Sequence, residues 1–257
     1  MRTVTATRYA TPLREGGSLP GLVEADDDGL YVCKFRGAGQ GPKALVAELV
    51  AGELARAAGL RIPELVRVEV DQALGRNEPD SEIRGLLKGS VGVNLGLDYL
   101  PGSVTFDPLA GPPPSAEEAS EVVWFDAFVT NVDRTPRNPN LLAWHRRLWL
   151  IDHGASLYFH HAWSRADPES PFAAVKDHVL LPWATRLAPA GARLRGRLGP
   201  ETIARVLSEV PDEWLLAEPG LVTPGDHRAA YQRHLERRLG AAPLFEEEAR
   251  RARDLLV

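Results

Sequence analysis

Apolar and polar residues are spaced differently in the two halves of the chain. Over residues 1–105, short apolar runs are separated by glycine, proline and aspartate, which is typical of β-strands joined by turns. Over residues 115–257, apolar residues recur at helical spacing. The stretch 109–114 ends in three prolines and cannot continue a helix or a central strand. We therefore expect an α+β chain with a β-rich N-terminal lobe at 1–105 and a mainly helical C-terminal lobe at 106–257.

The first half is predicted to contain one hairpin, one long helix and several further strands. Two apolar runs flank the turn 26–29, a pattern typical of a β-hairpin. The helix is expected to begin at Pro42 and to end at about Ala58, because Gly59 is well suited to the position after a helix. The strands are expected at 22–25, 30–35, 64–70, 86–87 and 97–100.

The second half is predicted to begin with a helix. Ser115 is followed three residues later by Glu118, the pattern of a capping box, and an apolar stripe then continues to about Thr130. After this helix we expect two short strands at 140–144 and 148–151, and helices at about 200–209, 225–239 and 245–256.

Composition limits the range of functions. The chain has 257 residues and a formal net charge of −5, so it offers no overall positive charge for nucleic acid or an anionic membrane. Its single cysteine, Cys33, cannot form an internal disulfide, and the sequence has no apolar run of membrane-spanning length. We expect a cytoplasmic protein with no nucleic-acid partner and no membrane partner.

Lysine is rare in this chain. Only four of the 30 basic residues are lysines, and the others are arginines. A compact ammonium group acts differently from a planar guanidinium, so each lysine is a candidate for a specific role. The four are Lys34, Lys43, Lys88 and Lys176.

Asp133, Asn138 and Asp152 form the most informative pattern. Asp133 and Asn138 lie five residues apart in a segment whose prolines exclude a helix, and Asp152 ends the apolar run 148–151. Phosphoryl transfer from Mg-ATP uses one carboxylate to orient the attacking hydroxyl, and an amide oxygen with a second carboxylate to hold magnesium. We expect Asp133 to contact the nucleophile and the other two to bind the metal. Gly154 is expected to let the chain turn sharply after Asp152.

Lys34 is a candidate for binding nucleotide phosphates. It lies on a predicted strand that follows a glycine-rich turn, where a lysine could reach phosphates under the turn. Its expected partner is Glu48, fourteen residues later on the predicted helix, and Glu53 is a competing partner.

Several segments resemble HipA-like kinases, in particular the smaller standalone bacterial members. The segments that carry the resemblance are 31–35, 47–63, 131–140, 150–154, 177–182 and 231–239. The resemblance implies a two-lobed protein-kinase-like fold that binds ATP and Mg2+ in its cleft. It also implies transfer of the γ-phosphate to a protein Ser/Thr or a small-molecule hydroxyl, with the acceptor left open.

The resemblance implies residue roles that agree with the pattern. Lys34 would contact the phosphates and pair with Glu48, Asp133 would be the catalytic base, and Asn138 and Asp152 would bind magnesium. Gly16, Gly17 and Ser18 would form the phosphate loop, and backbone groups near Leu97 and Tyr99 would meet the adenine.

Some features depart from the kinase pattern and leave two alternatives open. The glycine turn is not G-x-G-x-x-G, and Thr135 stands where many protein kinases have lysine. Either Arg134 or Arg137 could supply the missing positive charge. The first alternative is a kinase-fold binding or regulatory module without catalytic activity. The second alternative is a metallohydrolase that uses Asp133, Asp152 and His153.

Overall fold

The structure is a computed structural model that describes residues 1–13, 19–76, 78–111 and 113–256. Within these ranges the strands are β1 (Thr3–Pro12), β2 (Gly21–Ala25), β3 (Leu30–Lys34), β4 (Leu65–Val70), β5 (Gly92–Asp98), β6 (Val104–Thr105), β7 (Leu141–Trp144) and β8 (Arg147–Leu150). The α-helices there are α1 (Gly41–Ala58), α2 (Ser81–Gly89), α3 (Ala116–Val129), α4 (Leu187–Arg195), α5 (Pro200–Ser208), α6 (Pro224–Gly240) and α7 (Ala242–Asp254). No helix in this described part is long and apolar enough to cross a bilayer.

Five strands of the first half close into a barrel in the order β1-β2-β3-β5-β4. Neighbouring strands are antiparallel, except that β1 pairs with β4 in parallel. Gly96 on β5 is needed for this closure, because an added Cβ would lie 2.7 Å from a methyl group of Val68. The register pairs Lys34, the last residue of β3, with Leu95. The barrel therefore fixes the backbone position from which the Lys34 side chain extends.

The predicted hairpin, the helix from Pro42 and the strand at 64–70 are confirmed, whereas the strand predicted at 86–87 is wrong. Leu86 and Leu87 lie in α2, which begins after Asp80. One Asp80 carboxylate oxygen accepts hydrogen bonds from the N–H groups of the second and third helical residues. The apolar spacing of Ile83, Leu86 and Leu87 is that of one helix face, so the capping aspartate was the signal that the sequence analysis missed.

The first helix of the second half begins where predicted, but only half of the capping box forms. Ser115 Oγ accepts a hydrogen bond from the backbone N–H of Glu118. The Glu118 carboxylate turns away and accepts a hydrogen bond of 2.7 Å from Arg61. An ion pair across the fold has replaced the local contact.

Several further features were not predicted from the sequence. They include strands β1 and β6, helix α4 and a series of short 3-10 turns between residues 158 and 183. The 3-10 turns contain closely spaced polar, aromatic and proline residues, which produce no regular apolar period. Segments of this kind are ordered by tertiary contacts.

The apolar core shows how the two halves are joined. One buried cluster fills the barrel, and a larger one extends from α1 through α3 to the C-terminal helix. Leu49 on α1 and Phe125 on α3 are both fully buried in the larger cluster. Helix α1, which follows the barrel strand carrying Lys34, packs against helix α5 of the second half as well as against strands β4 and β5 of the barrel.

Candidate active site

Lys34 lies at the centre of a buried ion cluster. Its Nζ is 2.5 Å from Glu48 Oε2 on α1 and 2.5 Å from Asp152 Oδ1, just after β8. We call Lys34, Glu48 and Asp152 the Lys34 cluster. The competing partner Glu53 instead pairs with Arg56 on the same helix. The structure thus brings together three of the residues singled out in the sequence, from three different elements.

The charges of the Lys34 cluster stabilise one another. Burial alone would lower the pKa of Lys34, but the carboxylates of Glu48 and Asp152 outweigh it and raise that pKa to about 12. Burial opposes ionisation of Glu48, yet the Lys34 ammonium and then His153 bring its pKa far below the usual range. Lys34 is therefore a fixed positive charge, and Glu48 a fixed negative one, at neutral pH.

Asp152 is the open side of this cluster. The Glu48 side chain is fully buried, whereas the Asp152 side chain is 40% exposed. Asp152 itself adopts a left-handed backbone conformation, with φ of 52°. The chain also turns at Gly154, as predicted, because the N–H of Ser156 donates to the carbonyl of His153 at 2.9 Å. The positive φ, however, lies on the aspartate and not on this glycine. A non-glycine residue in this region is strained, and such strain is often found at functional sites.

Asp133 and Asn138 also lie together. Helix α3 ends at Thr130, and Asn131 Oδ1 then accepts a hydrogen bond from the backbone N–H of Asp133. Asn138 Nδ2 donates to Asp133 Oδ2 at 2.8 Å, and the side-chain amide of Asn140 donates to the backbone carbonyl of Asp133. The Asp133 carboxylate is therefore oriented by its own loop.

Arg134 does not supply a free positive charge to the site. It is buried, and its Nε donates to Asp126 Oδ2 at 2.5 Å. A second nitrogen of its guanidinium donates to the backbone carbonyl of Asn140. His178 Nε2 is 2.9 Å from the same Asp126 oxygen. We call Asp126, Arg134 and His178 the Arg134 cluster, and it fixes the start of the Asp133 loop.

The Arg134 cluster was missed by the sequence analysis, although one signal was present. Asp126 is the only charged residue in the apolar stretch 122–129, and an isolated buried carboxylate requires a partner. Burial opposes its ionisation, but Arg134 and His178 outweigh this and bring the pKa of Asp126 well below its usual range. Arg137, the other arginine considered from the sequence, is exposed on the Asp133 loop.

His153 lies beside the Lys34 cluster. Its ring is fully buried, with Nδ1 3.6 Å from Glu48 Oε1. Within the described ranges, neither ring nitrogen has a hydrogen-bond partner. The described residues also contain no group of three or more His, Cys, Asp or Glu side chains placed to hold a metal ion.

Comparison with known proteins now adds to this geometry. A family profile described as HipA-like kinase matches residues 8–240. The chain belongs to the HipA-like kinase family. Solved structures that match it include the crystal structure of the Helicobacter pylori proinflammatory kinase CtkA, with a TM-score of 0.58 and 12% identity, covering 97% of this chain and 99% of that chain. A search of the curated proteins gave no match.

The likeness to CtkA shows a kinase-like fold, and the family match confirms the resemblance inferred from the sequence. Together they support a phosphotransferase in general terms. The match of 8–240 includes both ion clusters and the Asp133 loop.

In this HipA-like kinase, the two residues predicted to lie near the adenine are on β5 and directly after it. Leu97 on β5 is buried in the core and pairs with residues of both neighbouring strands. Tyr99 is exposed, and its backbone N–H donates to the carbonyl of Leu30. Their role at the adenine stays a prediction. Gly16, Gly17 and Ser18 lie outside the described residues.

The oxygen atoms at the site suit magnesium. Asp152 Oδ2 and Asn138 Oδ1 have no hydrogen-bond partner among the described residues, because Lys34 and Asp133 contact the other atom of each side chain. Magnesium prefers oxygen ligands and is commonly bound by one or two carboxylates together with phosphate oxygens. The Lys34 cluster also carries two carboxylates and one ammonium, so it has an excess negative charge that a cation would balance.

Proposed function

We propose that this HipA-like kinase is a Mg-ATP-dependent phosphotransferase that transfers the γ-phosphate to a protein Ser/Thr or a small-molecule hydroxyl. The reaction would occur in a cleft between an N-terminal lobe at 1–105 and a C-terminal lobe at 106–257. The observation that carries the proposal is the Lys34 ammonium, held at 2.5 Å from both Glu48 and Asp152. Protein kinases require a strand lysine paired with a helix glutamate and a metal-binding aspartate together at one place.

In this proposal each residue of the site has a different role in the reaction. Lys34, held by Glu48, would bind the nucleotide phosphates, and the glycine turn at 16–18 would cover them. Asn138 Oδ1 and Asp152 Oδ2 would bind Mg2+, which neutralises charge on the phosphate oxygens when it is bound. Asp133 Oδ1, the carboxylate oxygen that does not accept from Asn138, would orient the acceptor hydroxyl and take its proton.

The direct test is phosphate transfer by Asp133→Asn. The substitution keeps the size of the side chain but removes the proton acceptor, so we expect transfer to fall by about 10²- to 10⁴-fold. The rate would be measured with labelled ATP against a panel of protein and small-molecule acceptors, with Asp254→Asn on α7 as a control of equal chemistry. A rate in Asp133→Asn equal to that of the wild type would overturn the proposed role.

A second candidate function is nucleotide binding without transfer. The observation that favours it is the burial of Arg134, which leaves Arg137 as the one arginine of this loop free to supply charge. This candidate predicts Mg-ATP binding and no phosphorylated product with any acceptor. A labelled product from the wild type that Asp133→Asn fails to make would exclude it.

A further inference from the structure

A second ion pair joins helix α1 to the rest of the molecule, and it uses another of the four lysines. Lys43 lies in the first turn of α1, five residues before Glu48. Its Nζ donates to the backbone carbonyl of His160 at 2.6 Å and to Glu218 Oε2 at 2.9 Å. The lysine therefore connects α1 to two distant parts of the chain at once.

Glu218 is held in place from several directions. Its Oε1 accepts a hydrogen bond of 3.1 Å from Trp163 Nε1 and lies 3.8 Å from His227 Nδ1. Its backbone pairs with Leu221 across a turn that contains Gly220, which has a φ of 84°. The Glu218 carboxylate, which accepts the hydrogen bond from Lys43, is thus held in place near the start of α6.

The segment bound by Lys43 is also packed against α6. His160 is buried, and its Nδ1 lies 2.9 Å from the hydroxyl of Tyr231. The ring of Phe159 stacks on His234 with a centroid distance of 3.6 Å. This segment, residues 158–165, follows Asp152 in the sequence and is held by hydrogen bonds and ring stacking.

Two residues of α1 make polar contacts with the chain that follows β8. Glu48 faces Lys34 and His153, and Lys43 holds His160. In protein kinases the position of this helix decides whether the lysine–glutamate pair forms, and phosphorylation of a downstream loop often controls it. In this chain the Lys43–Glu218 ion pair links the first turn of the helix to the second half of the molecule.

We infer that Lys43 and Glu218 are positioning residues that hold α1 where Glu48 meets Lys34. The inference rests on the proposed function. Both side chains are partly exposed, at 33% and 24%, so the pair can be removed without leaving a buried charge. Its effect is therefore expected on the position of the helix more than on global stability.

The experiment compares Lys43→Met and Glu218→Gln with the wild type in the full chain. We expect phosphate transfer to fall by about tenfold to a hundredfold, because small displacements of catalytic groups have effects of this order. Lys43→Arg, which keeps a donor at this position, should retain most of the rate. Lys176→Met, at an exposed lysine, is the matched control and should leave the rate unchanged.

The double variant Lys43→Met/Glu218→Gln shows whether the two residues act through their ion pair or whether each substitution disturbs the structure independently. If the two residues act as a pair, the double variant should be no slower than the slower single variant. Additive losses, or a Lys43→Met rate equal to that of the wild type, would overturn the inference.

Hydrogen exchange supplies a readout that needs no turnover. In Lys43→Met without nucleotide, amides of 158–165 and of the first turns of α1 should exchange faster, while the barrel strands keep their protection. Unchanged exchange in both segments would overturn the inference even if transfer is slow. A wild type that transfers no phosphate would instead remove the proposed function, and this exchange comparison would still decide whether Lys43 holds the helix.

Discussion

The Lys34 cluster and the Arg134 cluster are built alike but differ in their access to solvent. Each brings three ionisable groups together from separate elements: Lys34 lies between the carboxylates of Glu48 and Asp152, whereas the Asp126 carboxylate lies between Arg134 and His178. In the Arg134 cluster, both Arg134 and Asp126 are fully buried. In the Lys34 cluster, Asp152 is 40% exposed and keeps one oxygen without a partner among the described residues.

The difference in solvent access gives the two clusters different roles, one structural and one suited to binding a ligand. A fully buried ion pair whose remaining donors bind backbone carbonyls stabilises the backbone around it, here the start of the Asp133 loop. An ion cluster with an open carboxylate can take a ligand. Four predictions test the comparison, and the largest effect is expected from the sealed cluster.

Removing Asp126 should be the most damaging change to stability. Asp126→Ala leaves the buried Arg134 without its carboxylate, and breaking a buried pair in this way costs about 3–5 kcal/mol. Urea unfolding would measure the loss, with Asp152→Ala as the matched variant. Because Asp152 is partly exposed and Lys34 keeps Glu48, that variant should lose only about 1 kcal/mol or less. Equal losses in the two variants would show that the clusters do not differ as described.

Acid should weaken the wild type through the same buried carboxylates. The pKa values of Asp126 and Glu48 are lowered in the folded state, so both groups bind protons less readily there than in the unfolded chain. Their stabilisation is present above the ordinary values of 3.8 and 4.5 and is lost as the pH falls towards the folded values. Below about pH 4, unfolding free energy should therefore fall more steeply in the wild type than in Asp126→Asn. Parallel curves for the two proteins would contradict this.

Gly154→Ala should have the smallest effect. An added Cβ would lie 3.6 Å from Asp152 Oδ1 and 3.7 Å from Glu48 Oε2, which are ordinary contact distances. The change in unfolding free energy should stay within about 1 kcal/mol. Gly96→Ala is the informative contrast, because its Cβ would clash with Val68 and should lower stability clearly. A large loss at Gly154 would show that the turn at this position requires a glycine, in contrast to the left-handed conformation that Asp152 adopts.

The sequence was most informative where chemistry and local pattern agree. Asp133, Asn138 and Asp152 carry the spacing of one site, and Lys34 and Glu48 lie on elements whose apolar patterns are regular. The structure places Lys34 beside Glu48 and Asp152, and Asp133 beside Asn138. Their catalytic and metal-binding roles stay predictions.

The remainder depends on contacts between distant residues. Glu118 has the position of a capping-box residue, yet it binds Arg61, fifty-seven residues away. Arg134 has the position of a residue that could face a phosphate, yet Asp126 and the loop carbonyls take its donors. Sequence spacing shows which residues are near one another along the chain. The partners that Glu118 and Arg134 bind come close to them only when the chain folds.

The most direct test of the central claim is thermal unfolding of the wild type and Asp152→Ala with ATP, with and without Mg2+. A ligand that binds only the folded state stabilises it by about 2.7 kcal/mol at a hundredfold excess over its dissociation constant. We expect a magnesium-dependent rise in the midpoint for the wild type that is absent in Asp152→Ala and kept in the control Asp254→Ala. No rise in the wild type at millimolar Mg-ATP, or an equal rise in Asp152→Ala, would contradict the claim that the open side of the Lys34 cluster binds the metal and nucleotide.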